Sequence, residues 1–239
     1  MKVMEENVQG LKQRQEDMAM VLPTRFLSST KHASIQILNE DRNYVGIGFF
    51  VRPKVVFTAE YVLTQNYNVG TTTYYGKVQN SEGVEIITFT MKGYYTDYDF
   101  AVLTTLEYES KYCLPIKNLD GIGFGSKKLV MTTFNSCTDM FDSGFGVMPA
   151  ILLRKGDHHL VYTSNLFSGD SGVALIHSSD GSVLGIHLET VNEAKDHIDK
   201  GAYVLEDVAK SVSSLISGLS QGFIGLRLDC DIVTTLLND

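Results

Sequence analysis

Residues 169–176 read Gly-Asp-Ser-Gly-Val-Ala-Leu-Ile, a polar turn that runs directly into an apolar strand. A turn of this kind can expose the hydroxyl group of Ser171 while the backbone N–H groups of Gly169 and Ser171 converge on one point. Such converging donors stabilise the oxyanion that forms during acyl transfer. Taken alone, the tetrapeptide also fits a plain glycine-rich turn, so its interpretation depends on the rest of the chain.

Three further motifs occur in a set order around this turn. Residues 46–51 read Gly-Ile-Gly-Phe-Phe-Val, and residues 55–62 read Val-Val-Phe-Thr-Ala-Glu-Tyr-Val. Residues 99–103 read Asp-Phe-Ala-Val-Leu, and residues 183–187, downstream of the turn, read Val-Leu-Gly-Ile-His. Together with the turn, these motifs resemble the trypsin-like serine peptidase family over roughly residues 33–204. Val62 stands where digestive members carry a cysteine, so the resemblance is to the intracellular, bacterial or viral-type branch.

The resemblance implies a role for each motif. In the family, the strand that ends Thr-Ala-x-His carries the catalytic histidine, and the aspartate of Asp-x-Ala-x-Leu orients it. Carried over to this sequence, Ser171 is the nucleophile, Asp99 is the orienting acid, and Gly169 with Ser171 supplies the oxyanion hole. The implied reaction is hydrolysis of a peptide bond through an acyl-enzyme, and the implied partner is a peptide or protein substrate.

Tyr61 occupies the histidine position and is the main departure from the family. The mechanism needs a base that titrates near neutrality, and a phenol, with a reference pKa of about 10, is a poor one. Residue order places no histidine beside the first-barrel motif. The chain as written is therefore expected to be inactive or strongly impaired. Two explanations stay open: an enzyme altered at one position, or a natural pseudopeptidase that acts as a peptide- or protein-binding module.

His187 resembles the histidine of a Gly-x-His motif that, in some bacterial and viral relatives, faces the first substrate pocket and favours Glu or Gln. An imidazole can donate to a side-chain carboxylate or amide, which suits such a pocket. Asn165 and Leu166 are expected on the opposite wall. The alternative is a strand histidine that makes an ordinary internal hydrogen bond.

Short β-branched and aromatic runs punctuated by Gly, Asn and Asp predict an all-β fold. The resemblance makes it two six-stranded antiparallel β-barrels, chymotrypsin-like, with N-terminal and C-terminal helices. The predicted strands are residues 34–38, 45–51, 54–59, 70–78, 84–90, 100–104, 128–134, 145–153, 158–163, 173–177, 183–188 and 202–204.

The predicted order along the chain has four parts. Residues 1–32 form an N-terminal helical extension, 33–115 the first barrel, 116–204 the second barrel, and 205–239 a C-terminal helix and tail. Apolar residues spaced by three and four along residues 1–22 indicate an amphipathic helix, which either packs on the body of the chain or self-associates as a short coil.

Composition and charge exclude several classes of function. The net charge is -8 and there is no dense Lys/Arg cluster, which argues against a nucleic-acid partner. No apolar run approaches the roughly 20 residues of a membrane span.

The three cysteines lack Cys-x-x-Cys spacing, so neither a disulfide framework nor a zinc site is indicated, although one Cys113–Cys137 bridge stays possible. His158 and His159 are expected in an exposed turn. We expect no metal and no cofactor, and a cytoplasmic location.

Overall fold

The computed structural model describes residues 22–63, 70–126, 128–134, 145–164 and 172–238. Several predictions made above fall outside these ranges. They concern residues 1–21 of the predicted N-terminal helix and the site residues Asn165, Leu166, Gly169 and Ser171.

The first half of the chain closes into a six-stranded antiparallel barrel. Its order is β1-β2-β3-β6-β5-β4, with β4 paired back to β1. Large apolar side chains such as Phe49, Phe57 and Phe100 fill the interior. The strands are β1 (Ser34–Leu38), β2 (Tyr44–Arg52), β3 (Val55–Thr58), β4 (Thr73–Asn80), β5 (Gly83–Tyr95) and β6 (Phe100–Thr105).

The second half closes into another barrel of the same kind, in the order β10-β11-β12-β9-β8-β7, with β10 paired back to β7. The predicted all-β fold of two six-stranded antiparallel barrels is therefore confirmed. The strands are β7 (Leu129–Phe134), β8 (Phe145–Lys155), β9 (His159–Ser164), β10 (Ala174–His177), β11 (Val183–Thr190) and β12 (Phe223–Arg227).

Four α-helices of the described residues pack around the barrels, and none is both long and apolar enough to cross a membrane. The C-terminal helix reaches back to the first barrel, since Arg52 Nη1 donates to the Leu237 carbonyl at 3.0 Å. The helices are α1 (Thr24–Ala33), α2 (Val191–Asp199), α3 (Glu206–Ile216) and α4 (Asp231–Asn238).

The predicted strand at residues 202–204 is wrong, and so is the end of the second barrel at residue 204. Residues 202–204 lie between two helices, and the amides of Val204 and Leu205 donate to the Asp97 carboxylate at 2.8 and 2.5 Å. The sixth strand is β12, in the tail. Gly225 fits there because a Cβ atom would lie 2.7 Å from the Ile186 carbonyl oxygen.

A connecting segment between the barrels ties them together. The Leu114 amide donates to the Phe50 carbonyl in the first barrel, and the Lys117 amide donates to the Val183 carbonyl in the second. Cys113 in this segment and Cys230 are free thiols among the described residues, and Cys137 lies outside those residues.

Candidate active site

Tyr61 and Asp99 meet at the edge of the first barrel, as the motif order predicted. Tyr61 lies in a 3-10 turn, Glu60–Val62, directly after β3, and Asp99 ends a second 3-10 turn before β6. The Tyr61 amide donates to Asp99 Oδ1 at 2.7 Å, and the Glu60 amide donates to the Asp99 carbonyl at 3.1 Å. Asp99 has φ 48, a left-handed conformation that Asp tolerates better than most residues. The carboxylate is thus fixed directly beside position 61.

The side chain of Tyr61 does not pair with Asp99. The residue is 81% exposed, and its hydroxyl has no hydrogen-bond partner among the described residues. Tyr61 therefore contributes its backbone to the site, while its ring faces solvent.

Burial raises the pKa of Asp99 from 3.8 to about 7. The hydrogen bond from the Tyr61 amide works in the opposite direction, and the nearby charges of Glu189 and Glu60 raise the pKa further. Near neutral pH the carboxyl group is therefore poised between its protonated and ionised forms. A positive charge beside it would favour ionisation.

Gly172, the last residue of the predicted nucleophile turn, lies between the two barrels. Its amide donates to the His187 carbonyl at 3.0 Å, and its φ is 91, which favours glycine. A Cβ atom would lie 2.2 Å from the Ile47 carbonyl oxygen and 3.3 Å from the Ala59 amide nitrogen. The residue after Ser171 is thus held against the segment that leads into Tyr61.

A cavity of about 400 Å³ opens between the barrels beside Tyr61 and Asp99. The first barrel supplies the segments around Tyr61 and Asp99, and the second supplies the ends of β9, β11 and β12 with the loop before α3. None of the described residues that line it is Lys or Arg. The lining residues are Glu60, Tyr61, Leu63, Thr96, Asp97, Tyr98, Asp99, His159, Leu188, Glu189, His197, Ala202, Tyr203 and Ile224.

Glu189, His197 and Tyr203 form the far wall of this cavity. A bulge in β11 between His187 and Glu189 shifts the pairing with β12, and bulges of this kind re-aim side chains. His197 Nδ1 lies 2.7 Å from Glu189 Oε2. Burial, followed by the charge of Glu193, raises the pKa of Glu189 to about 7. Burial and the charges of Glu189 and Asp99 raise the pKa of Tyr203 well above its usual value.

His187 is buried in the second barrel. Its Nδ1 atom forms a hydrogen bond with the Tyr162 hydroxyl, and its ring packs edge-on against Phe223 at 5.4 Å. The internal hydrogen bond that was the alternative is thus present. Contact between His187 and a substrate stays a prediction, as do the roles of Asn165 and Leu166.

The exposed turn expected at His158 and His159 is wrong for His159. This residue begins β9, is buried, and its ring stacks on Tyr98 with 6.0 Å between ring centroids. Burial lowers the pKa of His159 to about 4, and the neighbouring His158 contributes in the same direction. His158 Nε2 instead lies 3.3 Å from Asp231 Oδ1. His159 is therefore a neutral wall residue of the cavity.

Sequence reasoning missed the far wall of the cavity because it did not predict helix α2. The signal was present in residues 190–193, Thr-Val-Asn-Glu. These residues form a capping box, in which the Glu193 amide donates to Thr190 Oγ1 and the Thr190 amide donates to Glu193 Oε2. The helix that begins there carries His197 to the end of β11.

No family model matches the chain, and no curated protein matches it. Solved structures, in contrast, do match this chain. Deg5 aligns with a TM-score of 0.56 and 14% identity, over 73% of this chain and 85% of that one. The MamO protease domain from Magnetospirillum magneticum aligns with a TM-score of 0.59 and 11% identity, over 88% and 98%. An inactive mutant form of Rv3671c from M. tuberculosis aligns with a TM-score of 0.58 and 16% identity, over 92% and 91%. The chain therefore shares the two-barrel fold of trypsin-like serine proteases.

Proposed function

We propose that the chain is a trypsin-like serine endopeptidase homologue that acts on a peptide or protein substrate through an acyl-enzyme at Ser171. Its hydrolysis is strongly impaired because Tyr61 stands at the position of the catalytic histidine. The observation that carries this proposal is the 2.7 Å hydrogen bond from the Tyr61 amide to Asp99 Oδ1. This hydrogen bond fixes the Asp99 carboxyl beside position 61, where a base is missing.

The chemistry follows from the roles of the three positions. With an imidazole at position 61, Asp99 would accept its Nδ1–H and leave Nε2 to take the hydroxyl proton of Ser171. The Ser171 oxygen would then bond to the substrate carbonyl carbon, and the imidazolium would return the proton to the leaving amine. A phenol in place of the imidazole is a poor acceptor for that proton. Loss of the histidine from a serine protease lowers turnover by about a million-fold, or about 8 kcal/mol of activation free energy.

The test is the variant Tyr61→His. We expect a gain of several powers of ten in labelling of Ser171 by a serine-directed phosphonate, read by intact mass, because one base completes the proton path. The control is Tyr61→His combined with Ser171→Ala, which should not label. A folded Tyr61→His variant that neither labels nor cleaves any member of a broad peptide library would reject the proposal.

A second candidate function is a peptide- or protein-binding module without turnover. It is supported by the combination of an open cavity and a Tyr61 side chain that is 81% exposed at its rim. An exposed aromatic ring beside a groove offers apolar contact area to a bound chain. Under this alternative, Tyr61→Ala should weaken capture of peptides from the same library, and Tyr61→His should give no labelling.

A further inference from the structure

The cavity beside Tyr61 and Asp99, called the cleft from here on, is lined by more acids than bases. Four carboxylic acids line it, while none of the described lining residues is Lys or Arg. The Asp99 carboxyl accepts the Tyr61 amide, and within the described ranges no Lys, Arg or His is paired with it. The cleft therefore carries an excess of negative charge. The four acids are Glu60, Asp97, Asp99 and Glu189.

A buried histidine without a hydrogen-bond partner also lines the cleft. His159 is only 3% exposed, and neither of its ring nitrogens forms a hydrogen bond with any described residue. Burial lowers its pKa to about 4, so the ring is neutral and one nitrogen carries a lone pair. Buried polar groups are normally hydrogen-bonded. Because the surrounding charge is negative, this unused acceptor points to a ligand that donates hydrogen bonds and carries positive charge.

Two of the acids face each other from opposite barrels. Asp99 belongs to the edge of the first barrel, and Glu189 lies in β11 of the second. Glu189 Oε2 is 2.7 Å from His197 Nδ1, whereas its Oε1 atom has no partner among the described residues. The charge of Glu189 raises the pKa of Asp99, so the two carboxyl groups repel each other. A cation held between the two walls would relieve that repulsion.

The remaining walls are aliphatic and aromatic, which favours an organic cation over a metal ion. Leu63, Leu188 and Ile224 supply aliphatic surface, and Tyr98 and Tyr203 supply rings. Aromatic rings attract organic cations, and a volume of about 400 Å³ is within the range of small-ligand pockets. Nowhere in the described part of the chain are three or more His, Cys, Asp or Glu residues grouped so that they could hold a metal ion.

We propose that the cleft binds an organic cation, a primary ammonium or guanidinium group on a short aliphatic chain. The cation lies between Asp99 and Glu189, and His159 accepts one of its N–H groups. The methylene groups of the ligand pack against the aliphatic and tyrosine walls. A lysine or arginine side chain of a peptide and a free alkylamine share this chemistry. His187, which was predicted to face the first substrate pocket, does not line this cleft.

The inference deepens the proposed function, on which it rests only for a peptide as the source of the cation. Binding in the cleft involves described residues alone and no bond to the nucleophile. It can therefore be measured by isothermal titration calorimetry with the intact parent chain, whether or not that chain hydrolyses peptides.

Matched ligands test the requirement for charge. The probes are short peptides with blocked ends that differ at one residue, arginine against its neutral isostere citrulline, and lysine against norleucine. We expect each cationic peptide to bind at least about tenfold more tightly than its neutral partner, because charge-assisted hydrogen bonds in a partly desolvated site are lost with the charge. Butylguanidinium and butylammonium test the free cation. If they bind as tightly as the peptides, the site recognises a free amine; if they bind more weakly, it recognises a peptide side chain.

Two conservative variants test the location of the site. Asp99→Asn and Glu189→Gln each remove one negative charge and keep the size of the side chain. Each should weaken binding of the arginine peptide about fivefold or more and leave the affinity for the citrulline peptide unchanged. The control is Glu109→Gln, which removes the same charge from an exposed acid that pairs with Lys54 outside the cleft. It should leave both affinities unchanged.

The outcomes separate this inference from the proposed function. Equal affinity for the arginine and citrulline peptides would overturn the cation site, even if Tyr61→His reacts with the phosphonate. Equal weakening in Asp99→Asn and Glu109→Gln would also overturn it, because net charge and not the cleft would then be the cause. If Glu189→Gln does not fold, Asp99→Asn decides alone. Selective binding of the cationic ligands together with an unreactive Tyr61→His would reject the proposed function and leave the cation site standing.

Discussion

Asp99 illustrates how a site residue can oppose folding. Its carboxyl ionises at about pH 4 in an unfolded chain, but burial raises the folded pKa to about 7. Between these values the folded state binds more protons than the unfolded state. The contribution of this carboxyl to the free energy of unfolding therefore falls as the pH rises from about 4 to 7, and it is constant above pH 7. The buried position of Asp99 therefore lowers the free energy of unfolding near neutral pH. Its place beside position 61 explains why an acid stands there.

Asp99→Asn tests that unfavourable contribution. An amide keeps the acceptor for the Tyr61 N–H, tolerates positive φ, and has no charge to bury. We expect the unfolding free energy of the variant to equal that of the parent at pH 4. At pH 8 it should be higher by about 1–2 kcal/mol, which is less than the full pKa shift would give because Asp99 is partly accessible to solvent. Urea unfolding at the two pH values measures the difference. A gain of the same size at both would show that ionisation of Asp99 is not the cause.

At the scale of elements, helix α2 determines the far wall of the cleft. Its capping box satisfies backbone donors at the first turn, and Lys195 Nζ donates to the Leu219 carbonyl beyond α3. Because Glu189 precedes the cap and His197 lies in the last turn, the helix must form for the two side chains to meet. The geometry of the pair thus depends on a local sequence signal at Thr190.

Thr190→Ala should expose that dependence. Loss of an N-cap side chain reduces stability by about 1 kcal/mol, which urea unfolding can measure. Amide hydrogen exchange in α2 should rise more than in α3. The control is Ser214→Ala, an exposed site within α3, which should leave stability unchanged or slightly higher since Ala is the better helix former. If the amides of α2 exchange hydrogen equally slowly in the variant and in the parent, the cap does not have this role.

The same elements show what residue patterns could and could not predict. Strands such as β2 and β6 were predictable because apolar β-branched and aromatic runs are bounded by turn residues. Strand β12 was missed because Gly222 and Gly225 interrupt its pattern, and those glycines are needed for close backbone contacts that only the closed barrel creates. Glu189 and His197 share no strand or helix, so no periodicity links them. Their contact arises only when α2 folds back on β11.

At the scale of the whole molecule, the second barrel closes through a strand distant from the others in sequence. β12 pairs with both β11 and β9, and helices α2 and α3 intervene between it and the preceding strand. Without β12 those two neighbours would each present an unpaired edge, and buried residues such as Ile224 and Leu226 would be lost from the core. The barrel wall that carries Glu189 would then lack its support.

Two truncations test this closure. A chain that ends at Gly222 lacks β12 and α4, and we expect it to lose cooperative thermal unfolding, followed by circular dichroism, because the barrel cannot close. A chain that ends at Cys230 keeps β12 and loses α4 alone, including the 3.0 Å bond from Arg52 to Leu237. It should still unfold cooperatively, at a lower temperature than the full chain. If the chain ending at Gly222 unfolds as cooperatively as the longer truncation, the second barrel does not require its last strand, and the cleft beside Glu189 is built by the preceding five strands.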